Sequence, residues 1–378
     1  MIEENPLDNS YEKRLRKQLV TLRWQKIHLD PLLLSLLLLL STIGLCILYS
    51  ASNQSDHLIR LQLFHIIAGV LTMAIVAQAP PELLRRLSPW LYLGGVLLLL
   101  LVLLFGHTSQ GAKRWIQLGP IQLQPSEIMK LATPMMLAWY LSTHNNQTKK
   151  SIIALILLLV PTLLIAKQPD LGTAIIIAIS GGFVLLLAGI DRRLLLILGI
   201  VLLIATPILW HFMHSYQKMR ILVMLDPQRD PLGAGYNIIQ SKIAVGSGGI
   251  LGKGWLQGTQ SHLSFLPTHT TDFIFAVAAE EFGLIGCGAI LIVLSLITIR
   301  GLYICINAQS SYTRLLSGSI CLTFISNAMI NIAMVIGLAP VVGVPLSLIS
   351  YGGTSIITTF TSFAMLMSIH TNRKLWNS

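Results

Sequence analysis

Acidic side chains are scarce in this sequence, and a few stand where long apolar runs begin. The chain has 15 Asp and Glu among its 378 residues. Asp272 opens the run "DFIFAVAAEEFG", where a carboxylate can meet both water and an apolar medium. That position suits a general base, which must reach the proton of a reacting group. Asp272 is therefore a candidate base, and a helix N-cap is the other interpretation of the same pattern.

Two glutamates lie inside the same run. Ionisable groups within a bilayer cost roughly 2.5–3.5 kcal/mol on insertion scales and tend to face a cavity or a partner. On a helix, Glu281 points to the face opposite Asp272, whereas Glu280 is rotated from Asp272 by roughly 80° about the helix axis. We expect one glutamate to line a cavity and the other to bond a neighbouring helix, and the pattern leaves open which does which.

Two further acids stand at the starts of apolar runs. In "QPSEIMK", Glu127 and Lys130 are spaced so that they can pair on one helix face. A structural ion pair and a role in holding substrate are both compatible with that spacing. In "KQPDLGTA", Asp170 follows Pro169 at a helix start, where the helix dipole favours an acid. A helix cap fully explains Asp170.

Basic side chains accompany glycine-rich stretches between the apolar runs. Lys113 and Arg114 stand in "GAKRWIQLG", and Arg220 and Lys242 lie in a long connection rich in glycine. Such backbone beside Lys and Arg can hold phosphates. The glycine spacing does not match a Walker A loop, and no strand precedes it as in a dinucleotide-binding fold. A seat for an anionic head group and a flexible surface loop are both open.

Long apolar runs must position these residues. The chain is 54% hydrophobic and 11% charged, against roughly 25% charged in an ordinary soluble domain. A span needs about 20 mostly apolar residues, so we predict an all-α polytopic membrane protein with ten transmembrane helices. They lie near 32–49, 61–79, 89–105, 127–142, 151–167, 171–190, 194–213, 272–299, 315–336 and 346–369.

The distribution of Lys and Arg predicts the topology. An even number of spans puts both termini on one side, and most of the 26 Lys and Arg lie in the termini and loops of that side, which is therefore cytoplasmic. The net charge of +11 thus reflects topology, and no nucleic-acid partner is expected. The predicted parts are a cytoplasmic basic N-terminus (1–31), helices 1–7 (32–213), a large extracytoplasmic Gly-rich loop (214–271), helices 8–10 (272–369) and a cytoplasmic C-terminus (370–378).

The motifs together resemble the shape, elongation, division and sporulation (SEDS) family. The resemblance covers nearly the whole chain and rests on "GAKRWIQLG", "QPSEIMK", "QPDLGTA", "DPLGAGYNIIQSKIAVGSGG", "GKGWLQGTQ", "TDFIFAVAAEEFG" and "PVVGVPLSLISYGGTS". "GSGG" followed by "GKGWLQGTQ" is similar to the elongation branch of the family. The resemblance implies a peptidoglycan glycosyltransferase of the cytoplasmic (inner) membrane that polymerises lipid II on the extracytoplasmic side, during cell elongation and rod-shape maintenance.

The resemblance also implies roles for individual residues. The family's catalytic aspartate falls on Asp272, and Glu127, Lys130 and Asp170 are other charged positions tied to activity. In the implied inverting reaction, an acceptor sugar hydroxyl attacks the anomeric carbon of a lipid-pyrophosphate donor. Asp272 is the candidate base. The candidates for holding the phosphates are Lys113, Arg114, Arg220, Lys242 and Lys130.

No cofactor is certain from the sequence. A divalent cation could share the binding of the phosphates, but no all-protein metal cage is apparent. The 4 cysteines form no close pair and no CxxC spacing, so neither a disulfide framework nor a zinc site is indicated. The implied partners are a class B penicillin-binding protein (a transpeptidase) and other elongation-complex proteins, and the implied ligands are lipid II, the growing glycan strand and membrane lipids.

The chain departs from the family pattern just before Asp272. The family usually reads Leu-Pro-Glu-x-His-Thr-Asp, whereas this chain reads "LPTHTTD". Thr268 stands at the Glu position and Thr270 at the His position. A required role for those two side chains is therefore in doubt here, and His269 is a neighbouring substitute.

A flippase that transports lipid-linked cell-wall precursors is the alternative function. Ten spans, intramembrane ions and a lipid-pyrophosphate ligand would serve it equally well. Transporters favour paired broken helices near the membrane midplane, whereas most notable charges here lie at the outer mouth. A scaffold that only recruits wall enzymes would not require acids at the membrane boundary.

Overall fold

Long helices dominate the described part of the chain. The computed structural model describes residues 28–105, 107–109, 112–118, 121–143, 147–189, 204, 207, 210, 211, 213, 215–231, 233–259 and 268–372. The helices are α1 (Pro31–Ala51), α2 (Asp56–Ala77), α3 (Pro81–Phe105), α4 (Pro125–Thr143), α5 (Gln147–Lys167), α6 (Leu171–Leu187), α7 (Ser215–Leu225), α8 (Ala234–Gly248), α9 (Ile274–Ile306), α10 (Ser311–Val335) and α11 (Gly353–Thr371). A short 3-10 helix, Pro227–Arg229, joins α7 to α8.

Nine of the ten predicted spans overlap helices in this part of the chain, and most of the seventh, 194–213, lies outside it. By length and composition, helices or helical segments that could cross a membrane are Pro31–Ala51, Asp56–Ala77, Pro81–Phe105, Lys150–Lys167, Ile274–Ile306 and Ser311–Val335. Leu171–Leu187 is apolar but shorter. The α4 and α11 helices carry more polar side chains, which face one another and their neighbours inside the bundle.

The region between α3 and α4 was expected to be an outer loop, but it contains three short strands: β1 (His107–Ser109), β2 (Ala112–Leu118) and β3 (Ile121–Leu123). They form antiparallel pairs in the order β1-β2-β3. Strand pairing satisfies backbone groups of this connection. Lys113 of β2 pairs with Thr108 of β1.

Helix starts follow the capping chemistry of the sequence. Asp30 accepts bonds from the backbone N–H groups of Leu32 and Leu33 at the start of α1. The predicted cap at Asp170 is confirmed, because its carboxylate accepts from the N–H of Thr173. At α10, Ser310 and Thr313 form a capping box. Such caps satisfy N–H groups that the first helical turn leaves without partners.

The α9 helix is broken at Gly283, where φ is 62° and ψ is −159°. The break opens the hydrogen-bond ladder of the helix, and the glycine-rich loop after α8 fills the gap. Four backbone bonds of 3.0–3.2 Å join them: Leu284 and Ile285 donate to the carbonyls of Gly249 and Ile250, and Lys253 and Gly254 donate to the carbonyls of Glu280 and Glu281.

Glycine is required where this loop meets α9. A Cβ atom at Gly252, whose φ is +80°, would lie 2.1 Å from the carbonyl oxygen of Glu281. A Cβ atom at Gly248 would lie 2.0 Å from the carbonyl oxygen of Ala279. Both distances are far below van der Waals contact, so the two backbones approach this closely only without side chains at these positions.

The segment 341–352 crosses the interior without regular structure. The tenth span was predicted to begin near 346, but α11 begins at Gly353. Side chains of the surrounding helices bind backbone carbonyls that helical hydrogen bonds would otherwise satisfy. Gln62 donates to the carbonyl of Ser350 over 3.1 Å, and Asn327 donates to that of Pro345 over 3.1 Å. Irregular backbone is tolerated at membrane depth where protein groups satisfy it.

Polar contacts mark the two ends of the bundle. At one end, Arg300 of α9 donates to Asp30 over 2.7 Å. At the other, Ser50 of α1 donates to Glu281 of α9. The ~20 residues of α1 between positions 30 and 50 rise by about 30 Å, which matches the hydrocarbon thickness of a bilayer. We call these two levels the Asp30 end and the Ser50 end.

Candidate functional site

Asp272 lies in the turn that precedes α9, and its side chain is half-buried. The N-cap position of α9 is Phe273, and no side-chain cap bond forms there. The interpretation of Asp272 as the N-cap is therefore wrong. The carboxylate lies beside the segment 341–352, because a Cβ atom at Gly343 would be 3.6 Å from Asp272 Oδ2.

Three groups hold the Asp272 turn against this segment. Asn331 of α10 donates from Nδ2 to the carbonyl of Asp272 over 2.8 Å and to the carbonyl of Val344 over 2.7 Å. Ser350 donates to the carbonyl of Thr271 over 2.6 Å. The N–H of Tyr351 donates to the carbonyl of Thr270 over 3.0 Å. The position of Asp272 is thus set by residues distant in sequence.

A polar cavity lies within the bundle, between α4, α6, α10 and α11. Its volume is about 70 Å³. Pro345 and Ser347 of the segment 341–352 form part of its wall, together with Asn327 of α10. Asn327 and Asn331 stand one turn apart on α10, since residues four apart share a helix face. The same helix face therefore lines the cavity and holds the Asp272 turn.

The predicted pair of Glu127 and Lys130 is confirmed, and both residues line this cavity. Lys130 Nζ lies 2.5 Å from Glu127 Oε1. Thr358 of α11 donates to Glu127 Oε2 over 2.9 Å. The buried carboxylate thus has both a counter-charge and a hydrogen bond, the conditions under which a charge is tolerated in an apolar interior.

Asp170 is buried at the start of α6. Its Oδ2 accepts from Thr173 Oγ1 over 3.0 Å and from Gln124 Nε2 over 3.4 Å. The start of α6 also touches the segment 341–352, because a Cβ atom at Gly172 would lie 2.4 Å from the carbonyl oxygen of Val342. Asp170 therefore positions a helix start that supports the backbone next to Gly343.

Glu280 and Glu281 are both buried, and both hold the break in α9. Glu280 Oε1 accepts from Lys253 Nζ over 2.6 Å and from Thr259 N–H over 2.9 Å. Glu281 accepts from Ser50 of α1. The expected bond to a neighbouring helix is thus made by Glu281, whereas Glu280 binds the glycine-rich loop and does not line the polar cavity.

The predicted phosphate-binding cations lie on several elements. Lys113 and Arg114 belong to β2, and their side chains lie outside the described part. Lys242 of α8 is exposed, and its chain passes over Gly337 at the end of α10, where a Cβ atom would lie 2.2 Å from Lys242 Cε. Arg220 of α7 is half-buried. Lys242 is thus near the same helix end that carries Asn331.

The threonines that replace the usual family residues are backbone partners of the Asp272 turn. Thr268 has a φ of 56°, which is unusual for a β-branched residue. Its carbonyl accepts from the N–H groups of Thr271 and Phe273. The doubt about a required role for the side chains of Thr268 and Thr270 stays a prediction.

Sequence reasoning missed the amides that hold the site. Asn331 is buried, and Gln62 holds the segment 341–352 from α2. The signal was available in "ISNAMINIAMV", where Asn327 and Asn331 recur at helical spacing within an apolar run. Polar side chains inside a span tend to face a partner, so the pair could have been identified as interior.

Within the ranges that the structure describes, no group of three or more His, Cys, Asp or Glu side chains is arranged around a common point. A divalent cation at Asp272 would therefore draw further ligands from water, from the substrate or from outside the described residues.

The fold and site together define a class of protein: a polytopic α-helical membrane protein with a carboxylate held against an irregular segment that also forms part of the wall of a polar cavity. Residues 30–375 match the family model FTSW_RODA_SPOVE, described as a cell cycle protein. The chain belongs to this family, which is the SEDS family that its motifs indicated.

Several relatives are similar over most of their length. Peptidoglycan glycosyltransferase MrdB of Escherichia coli (strain K12) is 47% identical over 355 residues, covering 93% of this chain and 96% of the relative. Peptidoglycan glycosyltransferase RodA of Treponema pallidum (strain Nichols) is 31% identical, covering 90% of this chain and 97% of the relative.

Two solved structures are similar in fold. A chain from "Structural coordination of polymerization and crosslinking by a peptidoglycan synthase complex" has a TM-score of 0.80 and 32% identity, covering 92% of this chain and 98% of that chain. The crystal structure of the rod shape determining protein RodA of Thermus thermophilus has a TM-score of 0.70 and 26% identity, covering 91% of this chain and 97% of that chain.

Proposed function

We propose that this chain is a peptidoglycan glycosyltransferase that polymerises lipid II into glycan strands during cell elongation and rod-shape maintenance. The E. coli relative of 47% identity carries the name of that activity. The structural observation that carries the proposal is the half-buried carboxylate of Asp272, tied to the segment 341–352 through Asn331. Because the buried amide of Asn331 fixes the backbone of Asp272, it can hold this residue in position to act as the base.

In the proposed reaction, Asp272 removes the proton from the acceptor sugar hydroxyl as its oxygen attacks the anomeric carbon of the donor. The new bond between that carbon and the acceptor oxygen forms as the bond to the lipid pyrophosphate breaks. The pyrophosphate leaves with the electron pair, and the configuration at the anomeric carbon inverts. One carboxylate suffices, because no glycosyl-enzyme intermediate is formed and the pyrophosphate can leave with its charge stabilised by cations, without a general acid.

The departing pyrophosphate requires positive charge near the site. We propose Lys113, Arg114, Arg220 and Lys242 for this role. We propose Lys130 for it as well, which makes the polar cavity that Lys130 lines part of the proposed substrate site. A divalent cation is proposed to share the duty, since phosphate oxygens readily complete the ligand shell of such ions.

We further propose the inner membrane as the location, with both termini cytoplasmic and Asp272 on the extracytoplasmic side. The bias of Lys and Arg supports this orientation. A class B penicillin-binding protein is the proposed partner, because the similar fold at a TM-score of 0.80 comes from a complex named for polymerisation and crosslinking. Other elongation-complex proteins are proposed to join this pair.

The flippase alternative predicts broken helices near the midplane of the membrane. The α9 helix is broken, but Glu281, two residues before Gly283, bonds Ser50 near the C-terminal end of α1. This break therefore lies near one end of the bundle. That position favours chemistry at the membrane surface over transport through its centre.

The test is polymer formation from lipid II by purified protein and its Asp272→Asn variant, each with and without a class B transpeptidase. Because asparagine keeps the size of aspartate and most of its hydrogen bonding, the variant should fold and bind lipid II normally. Loss of the base should lower polymerisation by about 10²–10⁴-fold. Asp226→Asn is the matched control, because Asp226 is an exposed cap of the 3-10 helix and asparagine caps equally well.

Two outcomes would contradict the proposal in different ways. Equal polymer from the wild type and Asp272→Asn would remove Asp272 from the role of base while leaving the activity in place. An absence of polymer from the wild type, even with its partner, would favour the flippase.

A further inference from the structure

The glycine-rich loop that fills the break in α9 exposes large apolar side chains. Ile250 is 67% exposed and Leu251 is 78% exposed. They continue an apolar surface of α9, where Leu284 is 68% and Ile285 is 60% exposed. A patch of this kind outside a membrane marks an interaction site or an aggregation hazard.

The contacts of α9 set the depth of this loop. Between Arg300 at the Asp30 end and Glu281 at the Ser50 end, α9 runs antiparallel to α1 over the same span. Ile285 lies two residues beyond the break at Gly283, toward the Asp30 end, so it lies inside the level of Glu281. The N–H of Ile285 donates to the carbonyl of Ile250, so the backbone of the loop reaches that depth.

A second contact, with the continuous helix α1, gives the depth of the loop in ångströms. Trp255 Nε1 donates to the carbonyl of Cys46 over 3.2 Å, and the Trp255 ring lies 6.0 Å from that of Tyr49. Cys46 is four residues inside Ser50 on α1, which is a depth of about 6 Å. The loop therefore lies inside the Ser50 end at both contacts, by about one helical turn at Trp255.

The polar groups of the loop have partners, which that depth demands. The backbone bonds to α9 use the carbonyls of Gly249 and Ile250 and the N–H groups of Lys253 and Gly254. The Lys253 amine is 2.6 Å from the buried carboxylate of Glu280 and also donates to Thr259 over 2.9 Å. Unsatisfied groups of these kinds would be costly in hydrocarbon.

We propose that the loop 248–255 is inserted into the bilayer, with Ile250 and Leu251 in contact with lipid acyl chains. The occupant is lipid because the exposed surface is continuous with the membrane-spanning helix α9 and lies at its depth. Trp255 is then an anchor near the boundary, as tryptophan is in many membrane proteins. This part of the predicted extracytoplasmic loop 214–271 thereby lies in the membrane and not outside it.

Spin labels can measure this depth in the full-length protein, held as single copies in lipid nanodiscs. Labels are placed by Leu251→Cys, Ile292→Cys and Arg229→Cys in a background with alanine at the native cysteines Cys46, Cys287, Cys305 and Cys321. Ile292 is an exposed position within α9, and Arg229 is an exposed position between α7 and α8. Collisions with molecular oxygen report hydrocarbon, and collisions with a neutral nickel chelate report water.

The label at Leu251 should have high oxygen accessibility and low nickel accessibility, like the label at Ile292. Its nickel accessibility should be well below that of the label at Arg229. Nickel accessibility equal to that at Arg229 would overturn the proposal, because the loop would be in water. Shielding from both reagents would also overturn it, because protein rather than lipid would then cover the loop. If Leu251→Cys fails to fold, Ile250→Cys gives the same comparison from the neighbouring exposed position.

Discussion

At the scale of single residues, the position of Asp272 depends on uncharged amides and hydroxyls. Asn331 binds the backbone on both sides of the contact, at Asp272 and at Val344. A carboxylate placed in this way can keep its orientation when the substrate hydroxyl approaches. The acid supplies the chemistry, and its neighbours supply the geometry.

Asn331→Leu tests this division of roles. The change keeps side-chain size but leaves two carbonyls without their donor, each at a cost of about 1–3 kcal/mol. We expect kcat for polymerisation to fall by at least about tenfold, because Asp272 is then no longer held in position and a small misplacement of a catalytic group can cost about 10²-fold in rate. KM for lipid II should change little, because Asn331 does not line the polar cavity.

Asn327→Leu is the matched control on the same helix face. Asn327 lines the cavity and binds the segment 341–352, but its bonds go to Pro345 and Ser347. Because its bonds hold the cavity wall and not the Asp272 turn, Asn327→Leu should raise KM more than it lowers kcat. Steady-state rates over a range of lipid II concentrations separate the two effects, and an identical response from both variants would contradict a positioning role for Asn331.

The pair of Glu127 and Lys130 offers a second test at this scale. Lys130→Met leaves a buried carboxylate without its counter-charge, which typically costs about 3–5 kcal/mol. Thermal unfolding in detergent should show a marked loss of stability. The double variant Glu127→Gln with Lys130→Met removes both charges and should recover most of that stability.

Polymerisation by the double variant decides what the pair does. We expect polymerisation by the double variant to be well below that of the wild type, because the Lys130 amine that faces the cavity is absent. Wild-type polymer from the double variant would make the pair purely structural.

At the scale of elements, apolar runs predicted the helices because a bilayer leaves few other ways to satisfy the backbone. The cap at Asp170 and the pair of Glu127 and Lys130 were predictable because each joins residues only three positions apart in the sequence. The break at Gly283 was not predictable, since glycine is common in spans and this break depends on a loop from 248–254. The irregular segment 341–352 likewise depends on partners in α2 and α10.

The junction between the loop and α9 can be tested with a pair of alanine substitutions. Gly252→Ala places a Cβ atom 2.1 Å from the carbonyl oxygen of Glu281, at a φ of +80°. The loop must shift, so the melting temperature and polymerisation should both fall. A strain-free exchange of glycine for alanine stabilises a protein by about 0.4–1 kcal/mol, and this strained exchange should destabilise it by more than that amount.

Gly246→Ala is the matched control, because nothing lies within 4 Å of the added Cβ atom and the residue is inside α8. It should stabilise the protein by about 0.5–1 kcal/mol, as alanine does within helices. Equal melting temperatures for both variants would mean that the loop does not need the close approach seen at Gly252.

At the scale of the whole molecule, the proposed orientation in the membrane makes a simple prediction. Ser215 opens α7 after the seventh predicted span, and Ser378 is the last residue of the sequence. Cysteines at Ser215 and Ser378, in a background with alanine at the native cysteines, should react with an impermeant maleimide from opposite sides. Labelling of both from one side of intact cells or inverted vesicles would contradict the topology.

The two polar contacts between α1 and α9 couple the protein to its lipid environment. Asp30 with Arg300, and Ser50 with Glu281, tie these helices together at both ends. Neither helix can slide along the other to suit a thicker or thinner membrane without breaking a buried contact. Hydrophobic mismatch must then be met by deformation of the surrounding lipid or by tilting of both helices together. The chain length of the lipids thus becomes a variable that acts on this pair of helices and, through α9, on the break at Gly283 and the loop that fills it.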